Sequence, residues 1–365
     1  MDKKEKHYSL SKIKAKKAIY NIIIGERSNG KTYATLEESF KEFIRTGKQM
    51  AYIRRWKEDV IGKRASQVWY GVNSSGKIKT ISNGKYESVC YKNGKFFACN
   101  FDKDGKPFYN DKEDCLGYTF ALSDSEHDKS TNYEDITTII FDEFLTRQLY
   151  LVDEFVTFMN VLSTIIRRRT DVKIYMLGNT VNKFSPYFKE MGIKHINQME
   201  QGTIDVYKYG AQGLTVAVEY CSDLSKQKKN NFYFAFDNPK LNMITGGAWE
   251  LDIYPHLPMK YKPKDIKFTY YIEFNELTFT CEVIRVGDVW FTYIHEKTTE
   301  LLRKSKDLIY TLDKRPELMY NSNIMKPMNK LQERLYWFFI HDRVYYQNNE
   351  VGDTIANYLK ICKRG

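Results

Sequence analysis

The feature that most constrains the fold of this chain is a phosphate-binding loop that lies between a strand and a helix. Residues 25–32 fit the pattern G-x-x-x-x-G-K-[ST]. The apolar run at residues 18–24 predicts a strand before the loop, and the apolar spacing after the loop predicts a helix that ends at Gly47. Such a loop directs backbone N–H groups and the helix dipole at phosphate oxygens. The residues expected to bind a nucleotide are Gly25, Glu26, Arg27, Ser28, Asn29, Gly30, Lys31 and Thr32.

An apolar strand that ends in two carboxylates supports this interpretation. Residues 136–141 are apolar or β-branched, and Asp142 and Glu143 follow them directly. In a P-loop enzyme Asp142 could hold Mg²⁺ together with the Thr32 hydroxyl, while Glu143 could orient or deprotonate the attacking water. Lys31 would reach the β- and γ-phosphates. Two acidic residues after a strand could also begin a solvated helix, but their combination with the P-loop favours hydrolysis.

Two further groups are candidates for catalysis. Asn179 follows the predicted strand at 172–177 and could sense the γ-phosphate, although an Asx turn would explain it as well. Arg167, Arg168 and Arg169 end a long helical pattern, where arginines can simply complement the helix dipole. Ring ATPases also neutralise transition-state charge with a guanidinium supplied across a subunit boundary. Arg167 and Arg169 are therefore candidates for contacting a nucleotide, and Arg168 is expected to face elsewhere.

A basic strand end, Arg54-Arg55-Trp56-Lys57, follows the predicted second strand at 49–54. These cations could bind DNA phosphates or a neighbouring subunit's nucleotide, or they could form an ordinary solvated surface. The whole chain has 57 Lys and Arg against 46 Asp and Glu, a formal net charge of +11. A surplus of this kind favours polyanionic partners through counterion release.

Alternating strands and helices organise the first part of the chain. The strand at 136–141, a helical pattern from about residue 149 and the strand at 172–177 continue the rhythm of the P-loop region. This alternation implies a parallel sheet covered by helices on both faces. Between residues 72 and 109, Asn-Gly and Asp-Gly pairs separate short runs of β-branched and aromatic residues, which predicts an antiparallel β-hairpin insertion. The polar stretch at 222–231 predicts the start of a connector.

The last third of the chain changes from strands to helices. We expect two domains, at residues 1–221 and 259–365, joined by a linker at 222–258. Turns are expected at Asn275 and Gly287. The predicted strands of the second domain are residues 267–273, 277–285 and 288–294, and its predicted helices are residues 297–305, 327–346 and 350–362.

Composition excludes several other classes of protein. The six cysteines are scattered without a C-x-x-C pair, which argues against structural zinc and against a disulfide framework. No window approaches eighteen uncharged apolar residues, and the first residues lack the apolar centre of a signal peptide. We therefore expect no membrane partner and a cytoplasmic location.

The motifs occur in the order GERSNGKT, YIRRWK, TTIIFDEF, IIRRRTDVKIYMLGNTVN and SPYF. This order resembles the DNA-packaging (encapsidation) ATPases of phi-29-like short-tailed bacteriophages, small relatives of the large terminases within the additional-strand (ASCE) group of P-loop motors. The resemblance covers about residues 15–190. It implies that Lys31 and Thr32 are the Walker A pair, Asp142 and Glu143 the Walker B pair, Asn179 the sensor, Arg167 a trans-acting finger, Lys57 a basic residue that reaches a neighbour's site, and Arg27 the basic P-loop position.

The resemblance also implies partners. Members of the family form a pentameric ring at the portal vertex of an empty capsid, dock through a packaging RNA and use ATP to pump double-stranded DNA inward. The chain would then work in the host cytoplasm, transiently attached to the procapsid. Residues 259–365 would form a smaller α+β RNase H-like domain, a vestigial nuclease that holds RNA. Glu273, Glu282, Asp288 and Glu296 lie on or beside its strands, and whether any of them converge on two metals stays open at this point.

The sequence thus predicts an α/β P-loop NTPase domain of the additional-strand type with a parallel sheet and a hairpin insertion, followed by a connector and the smaller domain. The predicted function is an ATP-hydrolysing motor that translocates viral double-stranded DNA, with Mg²⁺ as cofactor and without nuclease activity. Two alternatives remain: a nucleotide-gated scaffold that binds RNA or DNA, and a helicase-type ATPase without a packaging role. A GTPase is disfavoured because residues 182–185, Asn-Lys-Phe-Ser, lack the final Asp of the guanine motif N-K-x-D.

Overall fold

The computed structural model describes residues 8–124, 132–146, 150–180, 184–196, 198–211, 213–222, 253–257, 259–301, 307–312, 321 and 323–363. The chain divides into two compact units, Met1–Glu250 and Leu251–Gly365. Residues 223–252 of the predicted connector, including most of the polar stretch at 222–231, lie outside the described residues. The predicted domain bounds therefore stay predictions.

The first unit is built on one large sheet. Its strand order is β3-β4-β6-β2-β7-β8-β1-β10-β9. The six central strands, β6, β2, β7, β8, β1 and β10, run parallel. Antiparallel pairing adds β4 and then β3 beside β6, and β9 beside β10. β5 pairs with β4. The strands are β1 (Tyr20–Gly25), β2 (Gln49–Arg54), β3 (Ser88–Lys92), β4 (Lys95–Phe101), β5 (Pro107–Phe108), β6 (Cys115–Ala121), β7 (Ile136–Asp142), β8 (Lys173–Asn179), β9 (Ile204–Tyr209) and β10 (Leu214–Tyr220).

Helices cover both faces of this sheet. Ile22 and Ile24 of β1 pack in one buried cluster, and Ile23 packs in another on the opposite face, as strand alternation requires. Phe158 belongs to the first cluster and Phe40 to the second, so a helix lies over each face. The helices are α1 (Ser11–Lys14), α2 (Lys31–Thr46), α3 (Gly62–Gln67), α4 (Tyr70–Ser74), α5 (Lys77–Ile81), α6 (Glu154–Ile166) and α7 (Pro186–Glu190).

The strand order brings the predicted motifs to one edge of the sheet. β8 lies between β1, which leads into the P-loop, and β7, which ends at Asp142. Gly25 is opposite Asn179, and Asp142 is opposite Leu177. Because parallel strands end on the same side, the loop, the carboxylates and the amide meet there. This is the additional-strand arrangement, and the predicted fold class is confirmed.

The region at 72–109 is only partly the series of hairpins that the sequence predicts. Its first part is helical, because Val72 and Ile78 on α4 and α5 are buried in the core of the unit. Asn83-Gly84 ends α5, and the Gly84 N–H donates to the carbonyl of Lys79 at 2.8 Å. The predicted hairpin does form between β3 and β4, where both residues of the turn at 93–94 have positive φ. It continues the large sheet through β6.

The second unit is an α+β module. Its sheet has the order β14-β11-β12-β13-β15, in which β11, β12 and β13 form an antiparallel meander and β14 and β15 pair parallel with β11 and β13. The predicted turn residues Asn275 and Gly287 have φ of 54° and 60°. The elements are β11 (Ile266–Phe274), β12 (Leu277–Val286), β13 (Val289–Glu296), β14 (Ile309–Thr311), α8 (Lys330–Ile340), β15 (Val344–Tyr346) and α9 (Asn349–Cys362).

Two of the helices predicted for this unit need correction. Residues 297–301 are not helical, and residues 302–305 of the same prediction lie outside the described part. The helix predicted at 327–346 ends at Ile340, and a strand, β15, occupies its last residues because Val344 and Tyr346 are buried beside β13. Among the helices of the described ranges, none combines the length and apolar character needed to span a membrane.

Candidate nucleotide-binding and hydrolysis site

A cavity of about 390 Å³ opens at the sheet edge where β1, β7 and β8 end. The P-loop forms one wall, with Ser28 and Gly30 at positive φ. Glycine is required at position 25, since a Cβ there would lie 2.8 Å from the Cβ of Cys221. The cavity is lined by Arg27, Ser28, Asn29, Gly30, Lys31, Thr32, Tyr33, Asp142, Glu143, Leu177, Gly178 and Asn179.

Lys31 is the buried cation of this site, with 5% of its surface exposed. Its Nζ donates to the carbonyl oxygens of Glu26 at 2.7 Å and Gly25 at 3.2 Å. It also donates to the Oδ1 atoms of Asn29 at 3.1 Å and Asn179 at 3.3 Å. Burial lowers the pKa of Lys31 to about 8, against the opposing effect of nearby acidic groups. Gly25 and Glu26 therefore lie behind the lysine, and Asn179 lies beside it.

Thr32 and Asp142 form an oxygen pair suited to a divalent cation. The Thr32 hydroxyl donates to Oδ1 of Asp142 at 3.2 Å, and Asp142 is almost fully buried. Oδ2 accepts a hydrogen bond of 2.8 Å from the hydroxyl of Tyr52 on β2. Burial raises the pKa of Tyr52 well above its usual value, so this hydroxyl stays a donor. A carboxylate held in place beside a hydroxyl is a donor set that fits Mg²⁺.

Glu143 is the exposed carboxylate of the pair. It follows the end of β7 with φ 56°, and 55% of its side chain is exposed. Arg54, the last residue of β2, donates from Nη2 to Oε2 of Glu143 at 2.6 Å. The guanidinium of Arg54 also lies 3.8 Å from Oδ2 of Asp142. One cation thus lies beside both carboxylates of the predicted Walker B pair.

Three predicted cations lie elsewhere, and none of them lines the cavity formed by the described residues. Arg167 follows α6 with φ 53° and an exposed side chain. Lys57 forms an ion pair of 2.7 Å with Asp124. Arg169 donates to the carbonyls of Glu134, Ile136 and Ile165 at 2.9, 2.6 and 3.1 Å, and to that of Tyr133 at 3.3 Å. These bonds tie the end of α6 to the start of β7, and the nucleotide-binding assignment of Arg169 stays a prediction.

Sequence reasoning missed the contacts of Tyr52 and Arg54 with the two carboxylates. Both lie on β2, two positions apart and therefore on one face, and β2 pairs with β7. The signal available in the sequence was the alternation of polar and apolar residues at the end of β2, but the partner strand could not be known from it.

The carboxylates of the second unit are engaged separately. Glu282 accepts a hydrogen bond of 2.6 Å from the Tyr261 hydroxyl, and its Oε1 lies 3.8 Å from Nε2 of His295. The nearby His295 ring lowers the pKa of Glu282. Asp288 lies 3.6 Å from Arg285, and Glu273 is buried. In the part of the chain that the structure describes, no three His, Cys, Asp or Glu side chains are grouped so that they could hold a metal ion.

The sequence of the chain was compared with models of known protein families. The sequence model of the family Podovirus DNA encapsidation protein (Gp16) matches residues 1–351. The chain belongs to this family. The resemblance that the motifs suggest is thereby confirmed.

Individual relatives and solved structures are consistent with membership of the encapsidation family. The DNA packaging protein of Bacillus phage B103 is 30% identical over 178 residues, which cover 48% of each chain, so this match spans about half the length of that relative. The DNA packaging protein of Bacillus phage PZA is 24% identical over 301 residues, 80% of each chain. A chain in the bacteriophage Phi-29 viral genome packaging motor assembly is 22% identical, with a TM-score of 0.58 over 98% of both chains. At this identity the likeness supports the fold.

Proposed function

We propose that this chain is the ATPase subunit of a motor that moves double-stranded viral DNA into a preformed capsid. The observation that carries the proposal is the meeting of Lys31, Thr32, Asp142, Glu143 and Asn179 at one sheet edge, in a chain of the DNA encapsidation family. ATP is the substrate. A triphosphate fits a polar cavity whose wall is a helix N-terminus with a buried ammonium group.

The chemistry follows from the positions of these groups. Lys31 neutralises charge on the β- and γ-phosphates, and Asn179 contacts the γ-phosphate from the end of β8. Thr32 and Asp142 would hold Mg²⁺, which when bound supplies charge neutralisation on the same phosphates. Glu143 accepts a proton from the attacking water once its carboxylate turns from Arg54 toward the cavity. A general base of this kind contributes about 10²–10⁴-fold to the rate.

The remaining charge in the transition state is assigned to a neighbouring subunit. Arg167 is exposed at the end of α6 and does not line its own subunit's cavity, as a residue acting in trans requires. Such an arginine contributes about 10³–10⁵-fold to turnover. Lys57 is a second candidate for a contact across the ring. This part of the proposal requires a homo-oligomeric ring, which we take to be a pentamer.

The partners follow from the same proposal. The ring would grip DNA through phosphate contacts, in keeping with the net charge of +11, so translocation should be insensitive to base sequence and sensitive to salt. It would be attached to the capsid portal through a packaging RNA, in the host cytoplasm and only while the capsid fills. The second unit would hold RNA and would not cut nucleic acid. The bounds 1–221 and 259–365 for the two domains belong to this proposal.

ATPase assays of single and mixed variants test the mechanism. Lys31→Ala, Glu143→Gln and Arg167→Ala should each lose at least about 100-fold in turnover. A mixture of Glu143→Gln and Arg167→Ala subunits should recover activity, because some interfaces then combine an intact base with an intact arginine. No recovery in assembled rings would refute the trans role of Arg167. Unchanged turnover in Glu143→Gln would refute the role of Glu143 in hydrolysis.

A further inference from the structure

A buried ion pair lies directly behind the loop that begins at Glu143, after the end of β7. Arg55 and Glu154 are only 6% and 2% exposed, and Nε of Arg55 donates to Oε2 of Glu154 at 2.8 Å. Removing two charges from water is costly, and replacing such a pair by apolar residues is often neutral or stabilising. Stability alone therefore gives no reason for a buried pair at this position, and its other contacts indicate what it does.

Arg55 holds the backbone of this loop. Its Nη2 donates to the carbonyl of Phe144 at 2.7 Å, and its Nη1 donates to the carbonyl of Glu143 at 3.3 Å. Glu143 has φ 56°, a left-handed conformation that is uncommon for a residue with a Cβ and persists only where its surroundings hold it. The Glu143 side chain is largely exposed and contacts Arg54 at its carboxylate, so the backbone of the loop sets where this side chain begins. The guanidinium of Arg55 is therefore placed to fix it.

Glu154 extends the same contact to a helix. It is the first residue of α6, and it accepts hydrogen bonds from the Leu151 N–H at 2.7 Å and from the Tyr187 hydroxyl at 2.8 Å. The Tyr187 ring packs at about right angles to that of Phe144. The other end of α6 is followed by Arg167. One buried carboxylate thus joins the loop of the catalytic glutamate to the helix that carries the proposed trans-acting arginine.

We infer that Arg55 and Glu154 are positioning residues that set the backbone of Glu143 and hold it in register with α6. The inference rests on the proposed function, since it assigns the pair a role in ATP hydrolysis. Arg55 does not line the cavity formed by the described residues, and it acts through the carbonyls of Glu143 and Phe144. Its neighbour Arg54, the last residue of β2, contacts the Glu143 carboxylate instead.

The test compares Arg55→Lys with Arg45→Lys in the full-length chain. Lysine keeps the charge but has no planar fork, so it cannot reach Glu154 and both carbonyls together. We expect Arg55→Lys to lower kcat for ATP hydrolysis at least tenfold, with the Kd for ATP within about twofold of wild type. Arg45 forms an exposed ion pair with Glu42 at the end of α2, and its variant should hydrolyse ATP like wild type.

A double-mutant cycle separates positioning from general stability. In a Glu143→Gln background, Arg55→Lys should cause no further loss of the residual single-turnover rate, because its effect passes through that glutamate. A further loss equal to that in the wild-type background would overturn the inference. If Arg55→Lys does not fold, Glu154→Gln decides: a lower kcat at unchanged Kd supports the pair, and an unchanged kcat overturns it.

A readout independent of activity distinguishes failure of this inference from failure of the proposed function. Hydrogen exchange of the backbone amides at 143–146 should be faster in Arg55→Lys than in Arg45→Lys, since the carbonyl contacts of that loop are lost. Unchanged exchange there would overturn the inference whatever the ATPase rate. Wild-type rings that fail to hydrolyse ATP would count against the proposed function, while the exchange comparison would still test the contact.

Discussion

The hydroxyl of Tyr52 offers a sharp test of the proposed metal site, because it donates to Asp142 and does not line the cavity formed by the described residues. The bond to Oδ2 is 2.8 Å long and buried, and its acceptor is a carboxylate. A hydrogen bond to a charged group contributes about 1.5–3 kcal/mol. Tyr52→Phe keeps the ring and removes the hydroxyl that donates this bond. If this bond contributes about 2 kcal/mol to holding Asp142 in its metal-binding orientation, its loss corresponds to about 30-fold weaker Mg²⁺ binding.

The assay is the Mg²⁺ dependence of ATP hydrolysis at saturating ATP. We expect the Mg²⁺ concentration that gives half the maximal rate to rise by about 10–100-fold in Tyr52→Phe, with much of kcat regained at high Mg²⁺. Tyr175→Phe removes a hydroxyl from another buried tyrosine of the same sheet and should leave this dependence unchanged. An unchanged Mg²⁺ dependence in Tyr52→Phe would show that Asp142 does not rely on β2 for its orientation.

Three further predictions concern the P-loop and the start of β7. Because burial lowers the pKa of Lys31 to about 8, the charged fraction of its ammonium group falls as pH rises, and the Kd for ATP should increase about tenfold between pH 7 and 9; Lys31→Arg should not show this rise. Gly25→Ala should lower the free energy of unfolding by about 1–3 kcal/mol through overlap with Cys221, whereas Gly71→Ala, with 3.6 Å to its nearest neighbour, should be neutral or stabilising in the same denaturant titration. Arg169→Ala should lower the melting temperature, because its bonds to the carbonyls of Glu134 and Ile136 are lost. Rings that mix Arg169→Ala with Glu143→Gln subunits should show no more ATPase activity than rings that mix wild-type with Glu143→Gln subunits.

The sequence predicts the elements around the P-loop well because their signals are local. The bounds of β2 agree to the residue, and the predicted end of α2 is confirmed at Gly47, whose N–H donates to the carbonyl of Phe43. β6 is absent from the prediction because Gly117 interrupts its pattern. That glycine is required by a contact distant in sequence, since a Cβ there would lie 2.2 Å from the carbonyl oxygen of Met50.

The Asn-Gly pairs show why local signals have limits. The pair at 93–94 forms a hairpin turn, while the pair at 83–84 ends a helix, and both place their residues at positive φ. The dipeptide specifies the backbone conformation and leaves open which element precedes it. What decides is the burial of Val72 and Ile78 at helical positions against the rest of the unit. This information comes from tertiary packing.

The same distinction explains which functional residues could be found. Motif residues such as Lys31 and Glu143 can be identified from their spacing in the sequence. The residues that contact β7 from a neighbouring strand cannot, because they depend on the strand order. β2 lies beside β7. It supplies Tyr52 to Asp142, the proposed metal ligand, and Arg54 to Glu143, the proposed general base; Arg55, just after the end of β2, contacts the backbone carbonyl of Phe144.

This arrangement has a consequence for coupling between subunits. Lys57, the second cation proposed to act across the ring, lies two residues after Arg55, where its N–H donates to Ser123 and its ammonium group contacts Asp124. A neighbour's nucleotide that drew Lys57 away from Asp124 would pull on a segment that holds both Walker B residues from one side. Nucleotide bound in one subunit would then affect hydrolysis in the next through the end of β2. Lys57→Ala should therefore lower the effect of a neighbouring subunit's nucleotide on ATP hydrolysis by Glu143, while the Kd for ATP in its own cavity stays unchanged.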